Sequence, residues 1–268
     1  MTIKCDSAGT AIPNPESLHP LRLDGKVALV TGAGQNIGRA IARRLAEIGA
    51  TVIVNGLTEA KLNETVRLIE AAGGKAHAMA ADVSDANAVT AMIARVRDSV
   101  GEVDISVSNV GRRLHMPFEQ ITVQDWDESI RINLSAAFYI AREVVPGMKA
   151  RDWGRIIHVS GYDGFTGHVV NRAYNIAAKS GLHGFSKALG RELGPYGITA
   201  NTLVPGAIDT DRDWPQYPST VIEDVRQAIP VRRWGSVDDL AYGAVYLCTT
   251  GGFLNGQALH LNGGEFMF

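Results

Sequence analysis

Two cysteines in 268 residues, Cys5 and Cys248, are too few for a disulfide framework or a cysteine-based zinc site. They fit a reducing, cytoplasmic setting. Charge of either sign is not in excess: 26 Lys and Arg stand against 28 Asp and Glu, and the formal balance of −2 gives no general attraction to nucleic acid. No apolar run approaches the ~18–20 residues of a membrane span. The opening "MTIKCDSAGT" has no apolar core of a secretory signal. His158, His168 and His183 are scattered without metal-ligand spacing, so no metal site is expected and they read as core or surface histidines. Neither a composition break nor a solenoid-period repeat divides the chain.

What the chain does have is the composition of a globular domain, 46% hydrophobic and 20% charged, with length enough for a substantial core. Residues 1–25 carry Pro13, Pro15 and Pro20 among polar neighbours and are expected to form an N-terminal arm, leaving 26–268 as one domain. From there two patterns alternate. Short β-branched runs, "KVALVTG" (26–32), "TVIVN" (51–55), "DISVSNVG" (104–111), "RIIHVSG" (155–161), "ITANTLVPG" (198–206) and "ALHLNGG" (258–264), read as buried strands. Between them lie helix-spaced stretches such as "NIGRAIARRLAEIG" (36–49) and "SVDDLAYGAVYLCTT" (236–250). The alternation predicts an α/β fold: a Rossmann-like, doubly wound parallel sheet of about seven strands in a single domain.

The stretch "VALVTGAGQNIGRAIA" (27–42) places Gly32, Gly34 and Gly38 between a strand and a helix, where bare backbone can approach a pyrophosphate at the helix's positive end. Thr31, Gly32 and Gly38 match the TGxxxGxG turn of the short-chain dehydrogenase/reductase family; Asn36 replaces the middle glycine, and asparagine tolerates left-handed backbone better than most residues. "ADVSD" (81–85), "SNVG" (108–111), "MPFEQITVQDWDESIRINLSAAF" (116–138), "GITANTLVPGAIDT" (197–210) and "FLNGQALHLNGG" (253–264) follow in family order. Over residues 26–264 the chain therefore resembles that family.

The resemblance implies an NAD(P)-dependent oxidoreductase acting on CH–OH groups. It implies a dinucleotide held by Gly32, Gly34, Gln35, Asn36, Ile37 and Gly38 of the turn, by Gly56 and Leu57 after the second strand, and by Asp82 and Val83 beside the adenine. Asn109, Val110 and Gly111, then Lys179 at the ribose, then Pro205, Gly206, Ile208 and Thr210 complete the set. A carboxylate at the end of strand two would select NAD by bonding the ribose hydroxyl and repelling a 2′-phosphate. That position holds Gly56, the neighbouring arginine position holds Leu57, and Gln35 stands where many NADP users carry a basic residue. With no carboxylate present, and with Asn55 and Thr58 at hand as hydrogen-bonding groups, NADP(H) is expected ahead of NAD(H).

In the family a tyrosine exchanges the proton at the substrate oxygen, a lysine four residues later lowers its pKa, a serine about thirteen residues earlier bonds the oxygen, and an asparagine supports a water relay. Asn133 matches the asparagine. "VVNRAYNIAAKSG" (169–181) holds Tyr174 and Lys179 five apart, which on a helix turns them about 140° from one another. Read forward from the fifth strand, the serine position is Gly161, with Ser160 one step early, and Tyr174 is the tyrosine. Read backward from Lys179, the tyrosine position is Asn175 and the serine position is Tyr162. Three readings follow: an irregular helix start brings Tyr174 to Lys179; Tyr162 supplies the hydroxyl; or the chain binds dinucleotide and does little carbonyl chemistry, as a sensor, a scaffold or an enzyme of non-redox chemistry. The first reading assigns catalysis to Tyr174, Lys179, Asn133 and Ser160.

Arg112, Arg113 and His115 lie in a loop that often borders the substrate cleft in this family, and are expected either to clamp an anion or to be solvated. "DTDRDWPQYPSTVIEDV" (209–225), with Trp214 and Tyr217, stands where the family has a mobile lid. The expected partners are a small-molecule carbonyl or alcohol and, by resemblance, three further copies in a homotetramer; no nucleic acid and no membrane are expected.

Overall fold

The computed structural model describes residues 22–267 apart from 114, 168 and 212–218; most of the expected arm, and His168, Trp214 and Tyr217, lie outside the described residues. Seven strands, β1 (Val27–Val30), β2 (Thr51–Gly56), β3 (Lys75–Ala80), β4 (Ile105–Ser108), β5 (Gly154–Val159), β6 (Ile198–Pro205) and β7 (Ala258–Leu261), form one sheet in the order β3-β2-β1-β4-β5-β6-β7. Every neighbouring pair is parallel. The helices between them are α1 (Asn36–Glu47), α2 (Glu59–Ala71), α3 (Ala86–Ser99), α4 (Val123–Ile130), α5 (Ala136–Ala150), the four-residue α6 (Asp163–Thr166), α7 (Ala173–Leu193), α8 (Ser219–Ala228) and α9 (Val237–Cys248).

Alternating side chains on each strand feed two separate cores, as the two-residue period of a strand demands. Ala28, Val30, Val52 and Val54 pack with Ile41 and Leu45 of α1 and Leu240 of α9 on one face. Leu29, Ile53 and Ile156 pack with Val89, Ile93 and Val96 of α3 and Ile140 and Val144 of α5 on the other. The expected doubly wound sheet is the observed one. Strand β3 was not among the apolar runs read from the sequence. Its "KAHAMA" alternates exposed and buried positions at the sheet edge, a pattern that an expectation of continuous apolar strands misses. The strand order reverses between β1 and β4, and in an open parallel sheet a crevice forms at the carboxyl ends of the strands at such a point.

Candidate active site

A cleft of about 390 Å³ opens at that reversal, lined by Gly32, Gly34, Gln35, Asn36, Ile37, Gly56, Leu57, Thr58, Lys61, Asn109, Val110 and Gly111. Its shape depends on missing side chains. A Cβ on Gly38 would stand 2.3 Å from the Gly32 carbonyl oxygen and 2.7 Å from Asn109 Nδ2. Gly32 itself is left-handed at φ +61. Asn36, in place of the family's middle glycine, takes the left-handed backbone at φ +49, and its Oδ1 accepts from the Asp211 amide at 2.8 Å. The asparagine therefore keeps the turn and aims its side chain at the segment after β6. A cradle this bare at the start of a twelve-residue helix fits a dinucleotide pyrophosphate.

One group suggested for the cofactor is turned away from the cleft. Asn55 is fully buried and donates to the carbonyls of Met79 and Ala81 at 2.9 and 3.2 Å, so it braces β2 to β3 and does not face a 2′-phosphate. The Val83 side chain packs in the core, and one carboxylate oxygen of Asp82 accepts from the amide and hydroxyl of Ser84, which fixes the segment expected beside the adenine. Lys61 was not singled out from the sequence; its ammonium meets Gln35 Oε1 at 2.6 Å on the cleft wall. The signal was a basic residue one turn beyond Thr58.

At the other end of Gly111 a second cleft, of about 460 Å³, is lined by Arg113, Gly161, Tyr162, Asp163, Arg172, Pro205, Gly206, Ile208, Thr210, Trp234 and Glu265. The register question is answered between these clefts. Helix α7 is regular from Ala173, with the Ile176 amide bonded to the Arg172 carbonyl at 2.9 Å. The segment ahead of it carries left-handed Gly167 and Asn171. A residue added to a loop adds only tenths of a kcal/mol of closure entropy, whereas one added inside a helix breaks its hydrogen-bond ladder. Counted along this regular helix, the position one turn before Lys179 is Asn175. Asn175, not Tyr174, shares the face of Lys179.

Tyr174 accordingly does not do what the first reading asks of it. Its side chain is 1% exposed and its hydroxyl has no hydrogen-bond partner; the charges acting on it are Asp125 of α4 and Arg112, and burial pushes its pKa up. Ser160 is also turned inward, where its hydroxyl donates to the Lys179 carbonyl at 3.2 Å and meets His183 Nε2 at 3.0 Å, tying β5 to α7. His158 and His183 are buried; His158 Nδ1 meets Ser186 at 2.8 Å, and burial lowers their pKa values to about 3 and about 4.

Asn133 lies in a π-helical segment (Arg131–Ser135) between α4 and α5; its Oδ1 accepts from the Arg112 amide at 3.0 Å and its Nδ2 donates to the Arg112 carbonyl at 3.1 Å. Asn175 donates to that same carbonyl at 3.2 Å. Two asparagines thus clamp the peptide that follows Gly111. A Cβ on Gly111 would stand 3.2 Å from Asn133 Oδ1 and 3.4 Å from Lys179 Nζ, so this glycine lets both groups close on the junction of the two clefts.

Residues 26–219 match the model of the short chain dehydrogenase family. The chain belongs to the short-chain dehydrogenase family. It is similar to the 3-oxoacyl-[acyl-carrier-protein] reductase FabG of Aquifex aeolicus, 33% identical over 252 residues that cover 92% of this chain and 99% of the relative. Among solved structures it is similar to a putative gluconate dehydrogenase from Agrobacterium tumefaciens, with TM-score 0.88, 31% identity and coverage of 91% and 97%. It is also similar to a gluconate 5-dehydrogenase from Burkholderia cenocepacia J2315 in complex with NADP and tartrate, with TM-score 0.85, 32% identity and coverage of 91% and 96%. This dehydrogenase is an NAD(P)-dependent oxidoreductase.

The charged groups of the dehydrogenase's second cleft are arranged around Tyr162. Its ring stacks on Phe266 at 4.5 Å, and burial, then Glu265 and Asp163, push its pKa up to about 12. Lys179 is 6% exposed and donates to the Val159 carbonyl at 2.9 Å; burial, then the Arg113 charge, pull it down to about 7, against Asp163, which raises it. Asp163 and Arg172 pair at 2.8 Å. Both were missed in the sequence, although they bracket the segment whose register was in question. Of the arginines expected at the substrate loop, Arg112 pairs with Glu128 at 2.8 Å and Arg113 lines the second cleft.

The depressed Lys179 value has a consequence for stability. The unfolded chain binds this proton up to the ordinary value of 10.5 and the folded chain releases it above about 7, so the group's contribution rises with pH through that window and is lost as pH falls through about 7. Denaturant midpoints are expected to gain more between about pH 6 and about pH 9 in the wild type than in Lys179→Met.

Proposed function

We propose that the dehydrogenase interconverts a secondary alcohol and a ketone on a small-molecule substrate, with Tyr162 as the group that gives and takes the proton. One observation carries this reading: Tyr162 lines the cleft with Gly111, Gly161, Pro205 and Gly206, while Tyr174 is enclosed elsewhere. A bound nicotinamide dinucleotide supplies or accepts the hydride. In reduction, the Tyr162 hydroxyl donates its proton to the carbonyl oxygen as charge builds there; in oxidation, its phenolate takes the alcohol proton. Arg172 and Arg113 lower the Tyr162 pKa and so favour the phenolate, and Lys179 keeps its proposed place at the ribose. Asn133 keeps its proposed place in the relay by clamping Arg112 beside Gly111. Gly161 offers no hydroxyl, and an added Cβ there meets nothing within 4 Å, so Tyr162 is the hydroxyl donor to the developing oxyanion on that wall.

The reading is tested by a screen of hydroxy and keto acids, with 3-oxoacyl thioesters alongside, in both directions and followed by nicotinamide absorbance. Ketone turnover is expected; full dinucleotide binding with no turnover of any carbonyl or alcohol would overturn the reading in favour of an idle binding protein.

For the cofactor the reading is NADP(H). Lys61, Gln35 and Thr58 offer a cation and two hydrogen-bonding groups on the wall beside Gly56 and Leu57, and among the described residues no carboxylate lines that wall. Lys61→Ala is expected to weaken NADPH binding about tenfold, the loss of one charge-assisted contact, and to leave NADH binding unchanged. Fluorescence titration with the two dinucleotides checks this. A homotetramer built on α5 and α7 is part of the same reading, and sedimentation equilibrium tests it.

A further inference from the structure

We propose that the substrate carries a carboxylate, which Arg113 and Arg172 bind in the cleft beside Tyr162. The inference rests on the reading above, in which Tyr162 holds the reacting oxygen, and adds what holds the rest of the molecule. Both guanidinium groups line the cleft that contains Tyr162.

Arg172 is fixed rather than mobile. Its Nη1 donates to Asp163 Oδ2 at 2.8 Å, and its Nε and Nη2 reach His115 Nε2 at 3.1 and 2.8 Å. A guanidinium only donates, so His115 Nε2 is the acceptor and the imidazole is neutral, in keeping with the burial and the two arginine charges that lower its pKa. The loop carrying His115 is tied down further along by the Met116 amide, which donates to the Asn171 carbonyl at 2.9 Å. Three of the five N–H groups of Arg172 are used in this brace and two remain. A group held from two sides loses little freedom when a ligand arrives, which is the condition for tight recognition of a planar anion.

Arg113 brings the second charge, since it lines the same cleft as Tyr162 and Arg172. The same cleft carries the carboxylates of Asp163 and Glu265, so it suits a monoanion better than a phosphate dianion. Asp163 lines the cleft and holds Arg172 through Oδ2, while its Oδ1 is enclosed. Val225, Trp234 and Ile208 close the apolar side. These features together describe a small hydroxy or keto acid.

The test compares threonate with threonamide and threitol, which share its chain but lack the negative charge, by calorimetric titration into the full protein saturated with NADPH. Threonate is expected to bind at least tenfold tighter than either neutral compound. Arg113→Gln is expected to erase that difference with NADPH affinity retained, and Arg113→Lys to keep part of it. Because Arg172 also braces Asp163 and His115, Arg113 is the variant that disturbs the brace less, and the binding titration reads recognition apart from turnover. Equal or undetectable binding of all three compounds overturns the proposal, as does a threonate preference that survives in both Arg113→Gln and Arg172→Gln. A Tyr162→Phe protein that keeps both full turnover and the threonate preference would sink the proton-transfer reading and leave the carboxylate site standing.

Discussion

Replacing Tyr162 by phenylalanine is expected to lower turnover about 100-fold or more while NADPH affinity stays within about twofold. The same change at Tyr174 is expected to leave turnover within about threefold. The contrast follows from where the two phenols lie. Tyr162 faces the cleft and its pKa answers to Glu265, Asp163, Arg172 and Arg113. Tyr174 is 1% exposed, with an unpartnered hydroxyl on the side of α4. Removing a buried hydroxyl that bonds to nothing relieves a desolvation cost, so Tyr174→Phe should fold at least as stably as the wild type. Both variants can be followed in one assay with the best substrate from the screen. A large loss in Tyr174→Phe alone would reverse the assignment.

Gly38→Ala is expected to damage both fold and binding. The new methyl would sit 2.3 Å from the Gly32 carbonyl oxygen and 2.8 Å from its carbon, backbone atoms that have no rotamer to change. Overpacking of this kind costs roughly 1–3 kcal/mol. The only relief is to move the turn that shapes the dinucleotide cleft, so NADPH affinity is expected to fall at least tenfold. Urea denaturation without dinucleotide reads the first effect and fluorescence titration the second. Gly161→Ala serves as the control, because an added Cβ there meets no atom within 4 Å and should leave stability unchanged.

The sheet could be read from the amino acids because the central strands are buried on both faces and so appear as short runs rich in β-branched residues. Strand β3 escaped because it lies at the edge, where Lys75 and His77 alternate with buried residues. Asn36 was also legible: its tolerance of left-handed backbone is what the φ of +49 uses. The proton-transfer site was not. Residue spacing alone left Tyr174 and Tyr162 as rivals, because it does not say whether an extra residue enters a loop or a helix. The helix between Ala173 and Leu193 keeps its ladder, and the segment ahead of it carries left-handed Gly167 and Asn171. Ser160 and Asn55 were misjudged for a related reason. Each is next to a site in the chain, but strand alternation turns Ser160 toward His183 and Asn55 toward β3. Arg172 and Asp163 show no local motif, and their pairing appears only when the loop folds back on α6.

The most direct measurement is a crystal structure of the protein with NADP and a bound hydroxy acid or ketone analogue. The Tyr162 hydroxyl is expected within hydrogen-bond reach of the analogue's oxygen, with Tyr174 still enclosed between α7 and α4. A structure in which the start of α7 unwinds and the Tyr174 hydroxyl contacts that oxygen, with Tyr162 turned away, would contradict the central claim.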